Sequence, residues 1–146
     1  MIDKMLQDMM GKDILHKAFA LQKAMEDIPD DEKLTKEDLD PLHYFAEGMY
    51  LRSLFLPEGL VVVGEMHKHS HFTILAQGKS TIVSQDGKMD VEAPFVFVST
   101  PQAKRCVYAT TDCTWITVHL NHDNCMDLEE LENRHLIKDE DELLEV

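Results

Sequence analysis

The chain has 146 residues, of which 28 are acidic and 14 are Lys or Arg, for a formal charge of −14. That length suits one domain with a real hydrophobic core, and 44% apolar with 29% charged residues excludes a disordered chain. The acidic excess excludes nucleic-acid polymers as general partners, because phosphate contacts need clustered Lys and Arg.

Residues 1–47 carry 12 acids and 6 bases, residues 48–120 six of each, and residues 121–146 ten acids and two bases. Residue patterns change at the same places, so the chain divides into an acidic helical arm and connector over 1–47, a β-barrel over 48–120 and an acidic C-terminal helix over 121–146. In the first segment Ile2, Met5, Leu6, Met9, Ile14, Leu15, Ala18, Leu21 and Met25 recur at amphipathic helical spacing. Gly11 is a point of interruption, Pro29 a stop, and residues 30–41 a polar connector. The opening MIDKMLQDMMGKD has acids where a secretion signal has a basic stretch. No apolar run reaches the roughly 18–20 residues of a membrane span. The three cysteines, Cys106, Cys113 and Cys125, form no C-x-x-C pair and suit a reducing compartment. The expected location is cytoplasmic, with no membrane partner.

The middle segment reads as strands at 49–56, 60–66, 71–75, 79–84, 88–92, 95–99, 104–110 and 114–120. Turn residues separate them, among them Pro57-Glu58-Gly59, Gln77-Gly78 and the hairpin marker Asp86-Gly87. Eight such strands predict an all-β core, an eight-stranded jelly-roll barrel. Residues 60–63 are apolar on both faces, which asks for cover by the N-terminal helix or for homodimerisation through that face. The last segment predicts a helix opening on a capping box, Asp127 with Glu130; its tail, KDEDELLEV, is expected to fray.

Chemistry concentrates in Gly64-Glu-Met-His-Lys-His-Ser-His-Phe72. In an extended strand Glu65, His67, His69 and His71 share one face. Neutral imidazoles ligate divalent transition metals such as zinc, iron, nickel and manganese, and a carboxylate suits several of them. A ligand from a distant strand would close the site, and His119 is the candidate. His69 is the weakest member, since a turn in the middle of the run would remove it. His16, His122 and His135 receive no role. Arg52, Lys104 and Arg105 are half the bases of the neutral segment; they hold a carboxylate or phosphate if they face the barrel mouth, or else pair with the acidic arms. Tyr108 offers a hydroxyl beside Arg105, although the odd separation puts the two on opposite strand faces. Cys106 reads as a small core residue.

These residues resemble the cupin superfamily. Its first motif has two histidines two apart, a glutamate four later and a glycine seven after that; counted back from Gly78, the three ligand positions hold His71, His67 and Glu65, so ligand types are kept but permuted. Its second motif falls on Pro101, Ala103 and Cys106, with cysteine in place of the metal-binding histidine. A closer resemblance, over about residues 43–120, is to small cupin-like proteins of tailed bacteriophages. It is carried by His43–Arg52, Pro57-Glu-Gly59, Gly64-x-x-His67-Lys68-x-x-His71, Lys104-Arg105-x-x-Tyr108-Ala109 and Trp115–His119. The resemblance implies a cupin-like jelly roll, phage origin and residence in the host cytoplasm. The leading expectation is a metal-binding protein with a small-molecule pocket and no assigned reaction. The alternatives are a non-enzymatic interaction or virion protein using its acidic arms, and a sponge for a signalling nucleotide.

Overall fold

The computed structural model describes residues 2–29, 31 and 36–139, with side chains from residue 13 onward apart from 30 and 32–37. The expected fraying of the last residues lies outside that range. Helix α1 (Ile2–Glu26) runs through Gly11 without interruption, and a short α2 (Lys36–Leu39) follows. The strands are β1 (Leu42–Ala46), β2 (Met49–Leu56), β3 (Val61–Val63), β4 (Met66–His67), β5 (His71–Gln77), β6 (Lys79–Ser84), β7 (Gly87–Glu92), β8 (Phe95–Ser99), β9 (Arg105–Ala109) and β10 (Cys113–Leu120). Helix α3 (Leu128–His135) and a two-residue β11 (Leu136–Ile137) close the described chain.

All pairings are antiparallel. One sheet has the order β1-β2-β10-β5-β8, a second β3-β9-β6-β7, and β11 pairs with β4 as a separate ribbon. The two larger sheets pack face to face on Leu56, Leu75, Ile82, Val91, Ala109, Cys113 and Trp115. Removing these side chains from water contributes most of what holds the layers together. Opposite this core, the five-stranded sheet presents Phe72, Val96, Val98 and Leu120 to solvent, each more than half exposed.

The eight-stranded closed barrel is therefore corrected to an open sandwich with eleven strands among the described residues. Three local causes account for the difference. First, β1 lies before the charge boundary, between the connector read at 30–41 and the first expected strand; the turn at Glu47-Gly48, with Gly48 at φ +72°, lets it pair along its whole length with β2. Second, the run 60–66 is split at Gly64. The Gly64 N–H donates to the Arg105 carbonyl at 2.8 Å and its carbonyl accepts from Lys104 Nζ at 2.8 Å. Beyond it the chain leaves the β9 ladder and pairs with β11 instead. Third, β11 is too short to give any periodic signal. Strands β1 and β11 thus come from outside residues 48–120.

Gly78 at the β5–β6 turn has φ +96°, and a Cβ there would sit 2.1 Å from the Asp112 carbonyl oxygen and 2.9 Å from Cys113 Sγ. Only glycine fits. Helix α1 packs against β3 and β6, with Leu15 and Phe19 on Met66 and Ile137. Lys104, 0% exposed, lies beneath the helix. Its Nζ donates to Gln22 Oε1 and rests 4.7 Å over the Phe19 ring. It therefore does not line the cavity mouth; an amide of α1 takes it up, and the Glu26 carboxylate of the same helix acts on its charge.

Candidate metal centre

The register of the five-stranded sheet writes the cavity floor in rows. His43 faces Arg52, Arg52 faces Thr117, Thr117 faces Thr73 and Thr73 faces Phe97. Two residues along, Leu54 faces Trp115 and Trp115 faces Leu75. In the other direction Tyr50 faces His119, and the β10–β5 register brings His119 to the position beside His71. Alternation puts all three rows on one face. Along that face the lining passes from apolar to cationic to imidazole. Val62, Ile82, Val107 and Arg105 complete the lining from the other side of a cavity of about 610 Å³.

At the imidazole end His67, His71 and His119 each offer a ring nitrogen, and these atoms lie within 4.8 Å of one another. Ring centres are 4.1 Å apart for His67–His71, 4.6 Å for His71–His119 and 5.0 Å for His67–His119. His71 and His119 are 9% and 7% exposed. Burial first, then the neighbouring imidazoles His71 and His119, hold the basicity of His67 down to about 2. Burial and His71 take His119 to about 3. Burial, with Arg105 adding, takes His71 to about 4 against a backbone hydrogen bond that opposes the change. All three rings are neutral near pH 7, the form that ligates metals.

Backbone carbonyls orient two of them. His67 Nδ1 bonds the Glu65 carbonyl at 3.1 Å, and His71 Nδ1 approaches the His69 carbonyl at a longer 3.5 Å. A ring that donates from Nδ1 leaves the Nε2 lone pair for the ion, the usual outer-shell arrangement of metal-bound histidine. Thr117 Oγ1 meets Nε2 of His119 at 2.9 Å, so a ring that donates there presents Nδ1. The residues fit a transition-metal ion.

Arg105 is set by contacts on two sides. It donates to Ser99 Oγ at 3.2 Å, Ser99 bonds Thr73 Oγ1 at 2.6 Å, and the guanidinium lies 5.0 Å from the Phe97 ring centre. Arg52 acts electrostatically on His43, Tyr50 and His119. Both arginines therefore flank the triad within the cavity. Tyr50 stacks on His119 at 5.7 Å, and its hydroxyl bonds His43 Nδ1 at 2.7 Å.

Of the sequence-expected residues, the structure brings together His67, His71 and His119, with Arg52 and Arg105 in the same cavity. Glu65 lines the cavity but stands outside the triad's group of ligand atoms; it precedes β4, and strand alternation does not extend to it. His69 sits in a bend between β4 and β5 and its ring turns edge-on to His135 at 5.9 Å. Tyr108 is 43% exposed and points away from the cavity, as its odd separation from Arg105 requires. Sequence reasoning missed Tyr50, His43, Thr117 and His135. The first three were readable once Arg52 and His119 were placed, being their neighbours two residues along a strand or directly across it. His135 left no such signal.

No protein-family model matches the chain, and no curated protein matches it. Among solved structures it is similar to the plu4264 protein from Photorhabdus luminescens, with 15% identity and TM-score 0.53 over 72% of this chain and 94% of that one. It is also similar to salicylate 1,2-dioxygenase from Pseudoaminobacter salicylatoxidans, with 13% identity and TM-score 0.55 over 82% of this chain; only 33% of the dioxygenase is covered. A cupin protein from Bacteroides fragilis aligns at 16% identity and TM-score 0.48, over 65% of this chain and 87% of that one. At such identities the likeness speaks for the fold alone. The chain has a cupin β-sandwich fold, and inside it a histidine triad able to hold a metal.

Proposed function

We propose that His67, His71 and His119 bind one divalent transition metal ion and that the adjoining cavity takes a small amphipathic anion, its charged end held by Arg52 and Arg105. The observation that carries this reading is the triad itself. Three imidazoles facing one another inside a cavity repel when protonated, and the hydrogen bonds of these three go to the Glu65 and His69 carbonyls and the Thr117 hydroxyl rather than to one another; a shared ion supplies what the arrangement lacks. Three protein ligands leave positions on the ion open for water or a small molecule, and a metal so bound supplies Lewis-acid chemistry. The chain's own contribution is to orient the rings through the Glu65 and His69 carbonyls, to fix Arg105 against Ser99 and Phe97, and to line the far end with Leu54, Leu56, Val62 and Trp115. Arginine forks suit carboxylates and phosphates. The reaction is left unassigned. Glu65 and His69 are not needed for the ion. Phage origin and a host-cytoplasm location belong to this reading on the sequence resemblance alone; no described helix is long and apolar enough to cross a membrane.

Elemental analysis of untagged chain, purified without chelators beside His67→Ala/His71→Ala, tests it. Close to one metal per chain in the parent and none in the variant is the expected result. A parent that stays metal-free after exposure to zinc, iron, nickel and manganese would sink the proposal.

A further inference from the structure

His135 is the last residue of α3 and belongs to none of the rows that form the cavity floor. Asp127 caps the helix, accepting from the backbone of Glu129 and Glu130. Arg134 ties the last turn to Asp123 at 2.8 and 3.0 Å and to Glu130 at 2.9 Å. Immediately after the helix, Leu136 pairs with His67, and the Lys68 N–H donates to the His135 carbonyl at 2.7 Å. The backbone of His135 is thus held beside a member of the triad from both directions.

Its side chain turns toward the same place. The ring lines the triad's cavity, outside the group of ligand atoms that lie within 4.8 Å of one another, and sits 5.8 Å from the His119 ring, tilted by 34°, against a widest spacing of 5.0 Å within the triad. His135 Nε2 is buried and has no hydrogen-bond partner among the described residues. A buried polar atom left unsatisfied costs about 1–3 kcal/mol, so such an atom in a native structure calls for a partner. With the proton on Nδ1, His135 Nε2 offers a lone pair, and a cation shared with the triad would supply its missing partner.

We infer that His135 is a further ligand of the ion held by His67, His71 and His119, so that the C-terminal helix closes the open end of the sandwich and completes the centre. The inference rests on the metal reading proposed above. Burial, followed by the charges of His69, Arg134 and His122, lowers the basicity of His135, which keeps the ring in its ligating form. A second cavity of about 410 Å³, lined by His67, His69, His119, His122, Arg134 and His135, adjoins the first. It defines the competing arrangement, in which His135 serves a separate ion.

Cobalt(II) is the probe, because its visible absorption reports ligand number and type. The metal-stripped full chain, His135→Gln and His67→Ala/His71→Ala are titrated side by side. The parent is expected to take up one cobalt per chain, and His135→Gln to bind it about tenfold to a hundredfold more weakly, the loss typical when a supporting or ligating partner is removed, with a changed visible spectrum. Unchanged affinity and spectrum in His135→Gln overturn the inference while leaving the triad's ion in place. A parent that takes up two cobalt ions, one of them lost selectively in His135→Gln, overturns it in favour of the separate site. A parent that binds none overturns the metal reading itself. Should His135→Gln fail to fold, proton NMR of the cobalt-loaded parent decides: four paramagnetically shifted imidazole N–H signals support the inference, and three refute it.

Discussion

Lys104 and the histidine triad both bury nitrogen atoms, and they are buried differently. Lys104 is sealed under α1, with the Gln22 amide, the Gly64 carbonyl and the Phe19 ring around its ammonium. His67, His71 and His119 face one another across the end of a cavity, with two arginines nearby that further disfavour their charged forms. The lysine's surroundings supply its hydrogen-bond partners from within the chain, as a structural buried polar group requires. Around the triad, backbone carbonyls and a hydroxyl occupy one nitrogen of each ring, and one nitrogen from each ring lies within 4.8 Å of the other two. Burial of charge-capable groups is thus no mark of function by itself; what separates the two sites is whether the chain supplies the partners.

A cut at the cavity should have the largest effect. Arg105→Met removes a donor fork beside the triad without touching a triad ligand. Binding of a simple carboxylate such as benzoate, followed by calorimetry, is expected to weaken by about tenfold to a hundredfold, the range for a charged hydrogen bond of about 1.5–3 kcal/mol. Metal content stays at the parent level. Tyr108→Phe, on the outward face, changes neither quantity; a benzoate loss equal to that of Arg105→Met would place the anion elsewhere.

Lys104→Met makes the converse cut. It leaves the Gly64 carbonyl and the Gln22 amide without the ammonium and is expected to cost about 1–3 kcal/mol of stability, read by urea denaturation. Metal content is unchanged. Loss of metal at equal occupancy of the folded state would contradict the separation of the two sites.

A separate effect comes from pH. The triad's folded-state basicities lie below the ordinary histidine value of 6.5, at about 2, 3 and 4. Below about pH 6.5 the unfolded chain therefore binds more protons than the folded one, and stability falls as pH falls. The metal-free protein is expected to melt at progressively lower temperature from about pH 6.5 toward pH 4, and His71→Ala/His119→Ala to show a flatter profile. Parallel profiles would mean that other groups govern the acid limb.

Much of the sandwich was readable because its strands alternate and its turns carry Gly, Pro and Asp. Strands β2, β6 and β8 fall where the pattern puts them. The rest depended on events that no local pattern records. The ladder breaks at Gly64, whose carbonyl goes to a buried lysine just ahead of β9, and β1 is hidden by a charge boundary that has no bearing on pairing. The same limits apply at the centre. His67, His71 and His119 were readable as ligating residue types, and the direction of His119 followed only from the β10 register. Glu65 and His69 were grouped with them by alternation, which holds only inside a strand; Glu65 precedes β4 and His69 occupies a bend. His135 reaches the site through the docking of a helix, a tertiary fact with no sequence period.

The most direct test is the melting temperature of the chelator-stripped chain with and without added zinc, measured for the parent, Lys104→Met and His67→Ala/His71→Ala. A ligand that binds only the folded state raises its stability. The expected result is a rise on adding zinc in the parent and in Lys104→Met, from a lower starting point in the latter, and no rise in the histidine variant. An equal rise in all three, or none in the parent with zinc or with iron, nickel and manganese in its place, would contradict the claim that the triad is a metal centre.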